Sequence, residues 1–234
     1  MNTIVVIPTY NERENIAELV RQILEADAAI HVLIVDDRSP DGTADVVAEI
    51  CQRSSRVHLL VRRGRRGRGL ADLDGFDYAF DTNFDYIISM DADFSHQPQD
   101  IPRFLETVKT CDVVVGSRLI KGGAIVNRGF LRNAISRVAN VYIRSLLGWG
   151  VHDWSSGFRC YRASVLASLP LEKMTSSGPS LLEEILFSFI KRGGRIREIP
   201  VTFYDRKGGK SKLGFRELWD TLSTVLKLRF KQYL

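Results

Sequence analysis

Apolar positions in the first half of the chain alternate between two periods. Continuous apolar runs at residues 3–8 (TIVVIP), 31–37 (HVLIVDD), 57–61 (VHLLV), 86–90 (YIISM) and 112–116 (DVVVG) predict strands buried on both faces. Between the first two, residues 15–24 place apolar side chains at 16, 19, 20, 23 and 24, the spacing of one helical face. Residues 42–50 and 70–80 predict two more helices. This alternation predicts an α/β fold with a mostly parallel sheet covered by helices. After residue 118 the pattern loosens: 128–147 and 180–192 read as helices, 156–162 as a short strand or hairpin, and 197–205 as extended. A loop at 206–214 leads into a basic amphipathic helix. No linker or repeat divides residues 1–234, so one domain is expected. Its 1–118 half holds the sheet and its 119–234 half is laid on it as a cover.

The carboxyl ends of parallel strands open onto one edge, where α/β folds bind ligands. Here they read PTYNE (8–12), DDRSPDGT (36–43), DADFSHQP (91–98) and GSR (116–118), all polar or charged. By itself Asp91-Ala92-Asp93 also fits a solvated turn before a helix cap. Four polar strand ends on one edge favour a site. In extended chain, residues two apart point the same way, and adjacent carboxylates repel unless a cation lies between them. Asp91 and Asp93 would therefore hold Mg²⁺ or Mn²⁺ bridging a diphosphate. Asp37 is placed to accept from nucleobase N–H groups, guanine or uracil alike, whereas Asp41 and Thr43 fit turn and cap chemistry.

Composition narrows the class. At 44% hydrophobic and 26% charged the chain is ordinary for a globular protein, and no run approaches the roughly 20 apolar residues of a membrane span. It opens directly on a strand and turn without a signal-peptide pattern. Cys51, Cys111 and Cys160 lack metal-ligand spacing, so reduced cytosolic thiols are expected. The net charge of +5 favours anionic partners. Five arginines within residues 62–68 could neutralise nucleic-acid phosphates, but no aromatic residues are interleaved to stack bases. A solvated or membrane-facing loop is the expectation there.

The segments VVIPTYNERENI, IVDDRSPDGT, MDADFSHQP, VVGSR, SGFRCYR and EIPVTFYDRKGGKSKL resemble, in order, the motifs of family 2 glycosyltransferases of the GT-A fold. More narrowly they resemble polyprenol (dolichyl) phosphate mannose synthases. The resemblance implies inverting transfer of a sugar, mannose from GDP-mannose or another sugar from a UDP-sugar, to a polyprenyl phosphate. It places Pro8, Tyr10 and Glu12 at the base and ribose, and Val35 and Asp37 at the base. Asp91, Ala92 and Asp93 would hold metal and diphosphate, with Ser95 as third metal ligand where some members carry a longer glutamine. Arg118, Arg132 and Ser136 would lie near sugar and acceptor phosphate, and Arg206 and Lys212 on a basic loop closing over phosphates.

An acceptor phosphate is already ionised, so the chemical demand falls on charge. At 4 Å like unit charges repel by about 4 kcal/mol at an effective dielectric of 20. Arg118, Arg132, Arg206, Lys212 and a metal at Asp91 and Asp93 would compensate, as electrostatic more than acid–base catalysis. His96 and His152 fit ordinary polar-loop histidines. Glu184 and Asp153 are weak acceptor-side candidates. The last helix offers Phe215, Leu218, Trp219, Leu222, Val225, Leu226 and Phe230 at helical spacing with basic residues nearby. It fits either the core or a membrane interface. A peripheral protein at the cytoplasmic face of a membrane, alone or with an anchoring subunit, is the expectation, with no nucleic-acid partner.

Overall fold

The computed structural model describes residues 1–174, 176–205 and 215–230, with the side chains of the last segment from 221 onward. The first half follows the predicted alternation: β1 (Thr3–Thr9), α1 (Arg13–Ala26), β2 (Ile30–Asp36), α2 (Thr43–Arg53), β3 (Val57–Val61), α3 (Arg68–Asp81), β4 (Tyr86–Ser89), α4 (Ile101–Val108) and β5 (Val113–Ser117). Then come β6 (Ala124–Val126), α5 (Phe130–Leu147), β7 (Arg159–Arg162), α6 (Ala163–Ala167), α7 (Leu181–Lys191), β8 (Ile196–Pro200), β9 (Thr202–Tyr204) and α8 (Phe215–Phe230).

The central sheet has seven strands in the order β3-β2-β1-β4-β7-β5-β8, and β6 pairs with β9 in a separate ribbon. Every pairing is parallel except those of β7, which runs antiparallel between β4 and β5. The later half is therefore more than the predicted cover, since its β7 and β8 complete the central sheet.

Because strand side chains alternate faces, the apolar runs feed two cores. Val5 and Ile7 pack with Ile16, Leu19 and Phe104 on one side. Ile4 and Val6 pack with Phe76, Trp154 and Ile185 on the other. Gly75 lets α3 approach that second face closely: a Cβ there would lie 2.4 Å from Val6 Cγ1 and 3.2 Å from Val35 Cγ2. That approach holds the loop preceding α3 over the ends of β1 and β2.

The C-terminal helix divides its residues. Val225 and Leu228 are buried in the second core, while Leu226 and Phe230 are exposed. Tyr142 of α5 donates from its hydroxyl to the Leu222 carbonyl, fastening the two helices. The inner stripe of α8 thus belongs to the core. The more exposed apolar surface lies on α5, where Phe130, Leu131, Val138 and Val141 are open to solvent.

Candidate active site

A cavity of about 860 Å³ opens at the carboxyl edge of the sheet. Of the residues expected at the site, Pro8, Tyr10, Glu12, Asp37, Asp91, Ala92, Asp93, Arg118, Arg132 and Ser136 all line it. Two do not. Val35 is fully buried in the sheet, with its side chain beneath Gly75. Ser95 is buried behind the cavity wall; its N–H donates to Asp93 Oδ1 (3.0 Å) and its carbonyl accepts from Tyr204 N (3.2 Å). Its backbone thus positions Asp93, and its hydroxyl is buried with no hydrogen-bond partner among the described residues. Arg206 and Lys212 lie outside the described residues.

The two aspartates of the second strand end have separate tasks. Asp36 accepts from Thr9 Oγ1 (3.0 Å), Ser39 Oγ (2.6 Å) and Ser39 N (2.8 Å), locking the turn. Asp37 accepts from Arg62 and from Gly67 N (3.0 Å). The expected capping role of Thr43 changes. Gly42, at φ 87°, holds the cap position of α2, and the Thr43 hydroxyl instead donates to Asp41 Oδ1 (2.6 Å) and accepts from Glu12 N (3.0 Å).

The arginine-rich loop turns inward at three of its five arginines. Arg62 is buried and bridges Asp37 and Asp74. Arg66 donates to the Tyr10 hydroxyl (2.9 Å) and stacks over that ring. Arg68 pairs with Asp91 and Asp72. Arg66 and Arg68 thus make the loop a wall of the site, while Arg63 and Arg65 stay exposed.

Asp91 and Asp93 fit a hard divalent cation in charge and exposure to the cavity, and a cationic group, the Arg68 guanidinium, already sits against Asp91. Among the described residues no cluster of three or more metal-binding side chains exists. Phosphate oxygens and water would supply the remaining ligands, as is common for Mg²⁺. His96 supports this loop: its Nδ1 accepts from Asp91 N (3.1 Å) and its ring stacks on Phe158. Burial pushes its pKa down, with Arg68 and Arg118 acting the same way against the opposing pull of Asp91 and Asp93, and the bond accepted at Nδ1 leaves the ring proton to Nε2.

Cations gather beyond β5. Arg118 grips Asp153 with Nε and Nη2, each 2.6 Å from a carboxylate oxygen, and Nη2 also donates to Ser155 Oγ (2.7 Å). Burial works to raise the Asp153 carboxyl, and Arg118 outweighs it, holding Asp153 below the usual carboxylate range. Arg132 pairs with Asp205 at 2.8 Å. Two further residues of this wall carry no prior expectation. Arg128 lines the cavity beside these cations. Glu183 also lines it, 3% exposed, with its pKa pushed by burial up to about 7. Its neighbour Glu184, the residue singled out from sequence, instead accepts from Ser176 N (3.1 Å). His152 stays at the surface, held by Glu198 (2.7 Å).

This fold and site are those of a nucleotide-sugar-dependent transferase. The chain belongs to glycosyl transferase family 2, whose profile matches residues 4–169. It is 39% identical over 225 residues to a polyprenol monophosphomannose synthase of Mycolicibacterium smegmatis, covering 95% of this chain and 85% of that protein. It is 38% identical over 213 residues to an undecaprenyl-phosphate mannosyltransferase of Micrococcus luteus, covering 91% and 88%. Among solved structures, glucosyl-3-phosphoglycerate synthase of Mycobacterium tuberculosis, crystallised with Mn²⁺, UDP and phosphoglyceric acid, superposes with a TM-score of 0.69 at 19% identity. That match covers 97% of this chain and 76% of the other, and shows the shared fold.

Proposed function

We propose that the protein transfers a mannosyl group from GDP-mannose to a polyprenyl phosphate with inversion at the anomeric carbon. The observation that carries this reading is one cavity holding both an Asp91–Asp93 pair and an arginine cluster at Arg118 and Arg132. It is joined by the names of the two mannosyltransferase relatives. A phosphate oxygen of the acceptor attacks the anomeric carbon, and the bond to the donor's diphosphate breaks with its electron pair on the leaving oxygen. One in-line displacement inverts the centre. The acceptor needs no base, because its oxygen is already anionic. The arginines lower the repulsion between the approaching anions. A divalent cation at Asp91 and Asp93, Mn²⁺ or Mg²⁺, would supply charge to the leaving diphosphate. Asp37, Tyr10 and Glu12 serve the nucleotide.

Among the described residues no helix is long and apolar enough to cross a membrane. Contact with the lipid is assigned to the outer face of α5, where Phe130 is 89% and Val138 70% exposed, with Arg137 and Lys121 also exposed. Apolar burial and attraction to anionic headgroups would both add affinity. An anchoring subunit on this face is the alternative partner.

The test is transfer of labelled mannose to undecaprenyl phosphate, with melting curves in GDP or UDP, with and without Mn²⁺. GDP with Mn²⁺ should raise the melting temperature, and about 2.7 kcal/mol is gained at a hundredfold excess over Kd. A response to UDP alone, with transfer from UDP-glucose, would replace the donor assignment.

A further inference from the structure

We infer that Arg128 is an additional phosphate-binding residue on the acceptor side of the cavity, offering guanidinium donors that an incoming phosphate monoester completes. The inference rests on the acceptor reading above and extends it to a residue not otherwise assigned.

Three cavity arginines stand close enough to influence one another electrostatically, and two of them have carboxylate partners. Arg118 holds Asp153 and Arg132 holds Asp205. Arg128 differs: its Nε and Nη1 are buried, with no hydrogen-bond partner among the described residues. Asn127, at φ 62°, makes the turn from β6 that sets Arg128 on the cavity wall. Asparagine tolerates this left-handed conformation better than most residues. Burial, with the charges of Arg118 and Arg132, pushes the Arg128 guanidinium below its ordinary range. A half-buried cation whose Nε and Nη1 lack partners among the described residues, set beside two other arginines, is costly without an anion, and an anion removes that cost.

The geometry of the free atoms indicates the ligand. Nε–H and Nη1–H are donors of one planar guanidinium, and arginine binds phosphate through such charge-assisted donors. The sequence position indicates which phosphate. Arg128 leads into α5, whose first residues Phe130 and Leu131 are exposed and apolar. A phosphate bound there can keep an apolar tail on that surface. The donor's diphosphate belongs with Asp91 and Asp93, on the loop after β4.

The test compares the parent with Arg128→Leu and Arg128→Lys by melting curves, calorimetry and kinetics. The probes are inorganic phosphate, farnesyl phosphate and GDP with Mn²⁺. Loss of charged hydrogen bonds should raise the acceptor KM at least about tenfold and remove the melting-temperature rise caused by both phosphate monoesters. GDP affinity should stay within about twofold of the parent, because the diphosphate side is untouched. Without ligand, Arg128→Leu should melt higher than the parent, which a structural arginine would not do. Arg128→Lys keeps charge but loses the planar donor set, so it should recover only part of the phosphate response.

Monoester binding unchanged in Arg128→Leu overturns the inference, as does a lower melting temperature in both variants with the monoester response intact. Weakened GDP binding with intact monoester binding would move the residue to the donor side and also overturn it. A parent that answers GDP and Mn²⁺ but no monoester overturns the acceptor reading together with this one.

Discussion

Asp153 meets Arg118 edge to edge, both side chains almost wholly buried, with two 2.6 Å contacts and a third from the Arg118 backbone N–H at 3.0 Å. The carboxylate therefore fixes the orientation of the guanidinium that the proposed chemistry uses. Arg118→Ala should lower kcat by about two orders of magnitude, since one lost electrostatic donor commonly costs roughly 3 kcal/mol. Asp153→Asn should lose comparable activity, and roughly 3 kcal/mol of stability, because it leaves a buried arginine unpaired. The sequence alone suggested a smaller effect for Asp153. Steady-state rates and melting curves of the two variants decide the matter: parental turnover in Asp153→Asn would mean that Arg118 holds its place without it.

Removing one carboxylate should separate chemistry from folding at the proposed metal position. Asp93→Asn is expected to melt near the parent but to lose the Mn²⁺-dependent part of the GDP melting shift, and turnover with it. Chelator should reproduce that loss in the parent, and added Mn²⁺ should reverse it. Full turnover in chelator would eliminate the metal role.

Glu183 should make stability depend on pH. Its folded-state pKa is raised from 4.5 to about 7 by burial, so the folded protein binds more protons than the unfolded chain between those values. The stability linked to that proton is complete below pH 4.5 and is lost as pH rises through 7. Glu183→Gln should therefore gain on the parent over this window, by roughly 3 kcal/mol at pH 8. Denaturant melts at pH 5 and pH 8 measure it, and an equal difference between the proteins at both values would refute the assignment.

Two variants, a double substitution on α5 and a single one on α8, should behave oppositely. Leu131→Glu with Val138→Glu should abolish flotation with anionic liposomes and leave GDP binding intact, because both residues face solvent. Leu228→Ala should instead cost about 2–4 kcal/mol of stability, because Leu228 is in the core. Truncation after Lys227 would remove Leu228 and is therefore no test of membrane contact. Flotation unaffected by the double substitution would shift the contact away from α5.

Much of this architecture could be read from pattern because β1, β2, β4 and β5 are continuous apolar runs, whose burial on both faces admits few alternatives. The strand ends then brought Asp37, Asp91 and Arg118 to one edge by topology alone. β7 was legible as a short strand within 156–162, but its place in the sheet was not: it has four residues and includes Arg159, which is fully buried and satisfied by the carbonyls of Ser156, Leu182 and Trp154. Helical periodicity could not choose Glu183 over Glu184, because α7 is buried on nearly all sides. Arg128 carried no signal either, since an unpaired guanidinium is a property of three-dimensional surroundings. For α5 the apolar stripe was plain, but a stripe does not say which side faces water.

The insertion of β7 has a consequence for the order of assembly. β4 and β5 do not pair with each other; each pairs with β7, which leaves them about 10 Å apart at two inter-strand spacings. A ribosome extending the chain in sequence would release the Asp91 and Arg118 segments before the strand that seats between them. The sheet then stays open until residues 159–162 arrive. A fragment ending at residue 118 should accordingly expose the facing edges of β4 and β5, a condition that favours aggregation or chaperone capture. Residues 1–118 are therefore a region of the fold and not a unit that closes its sheet on its own.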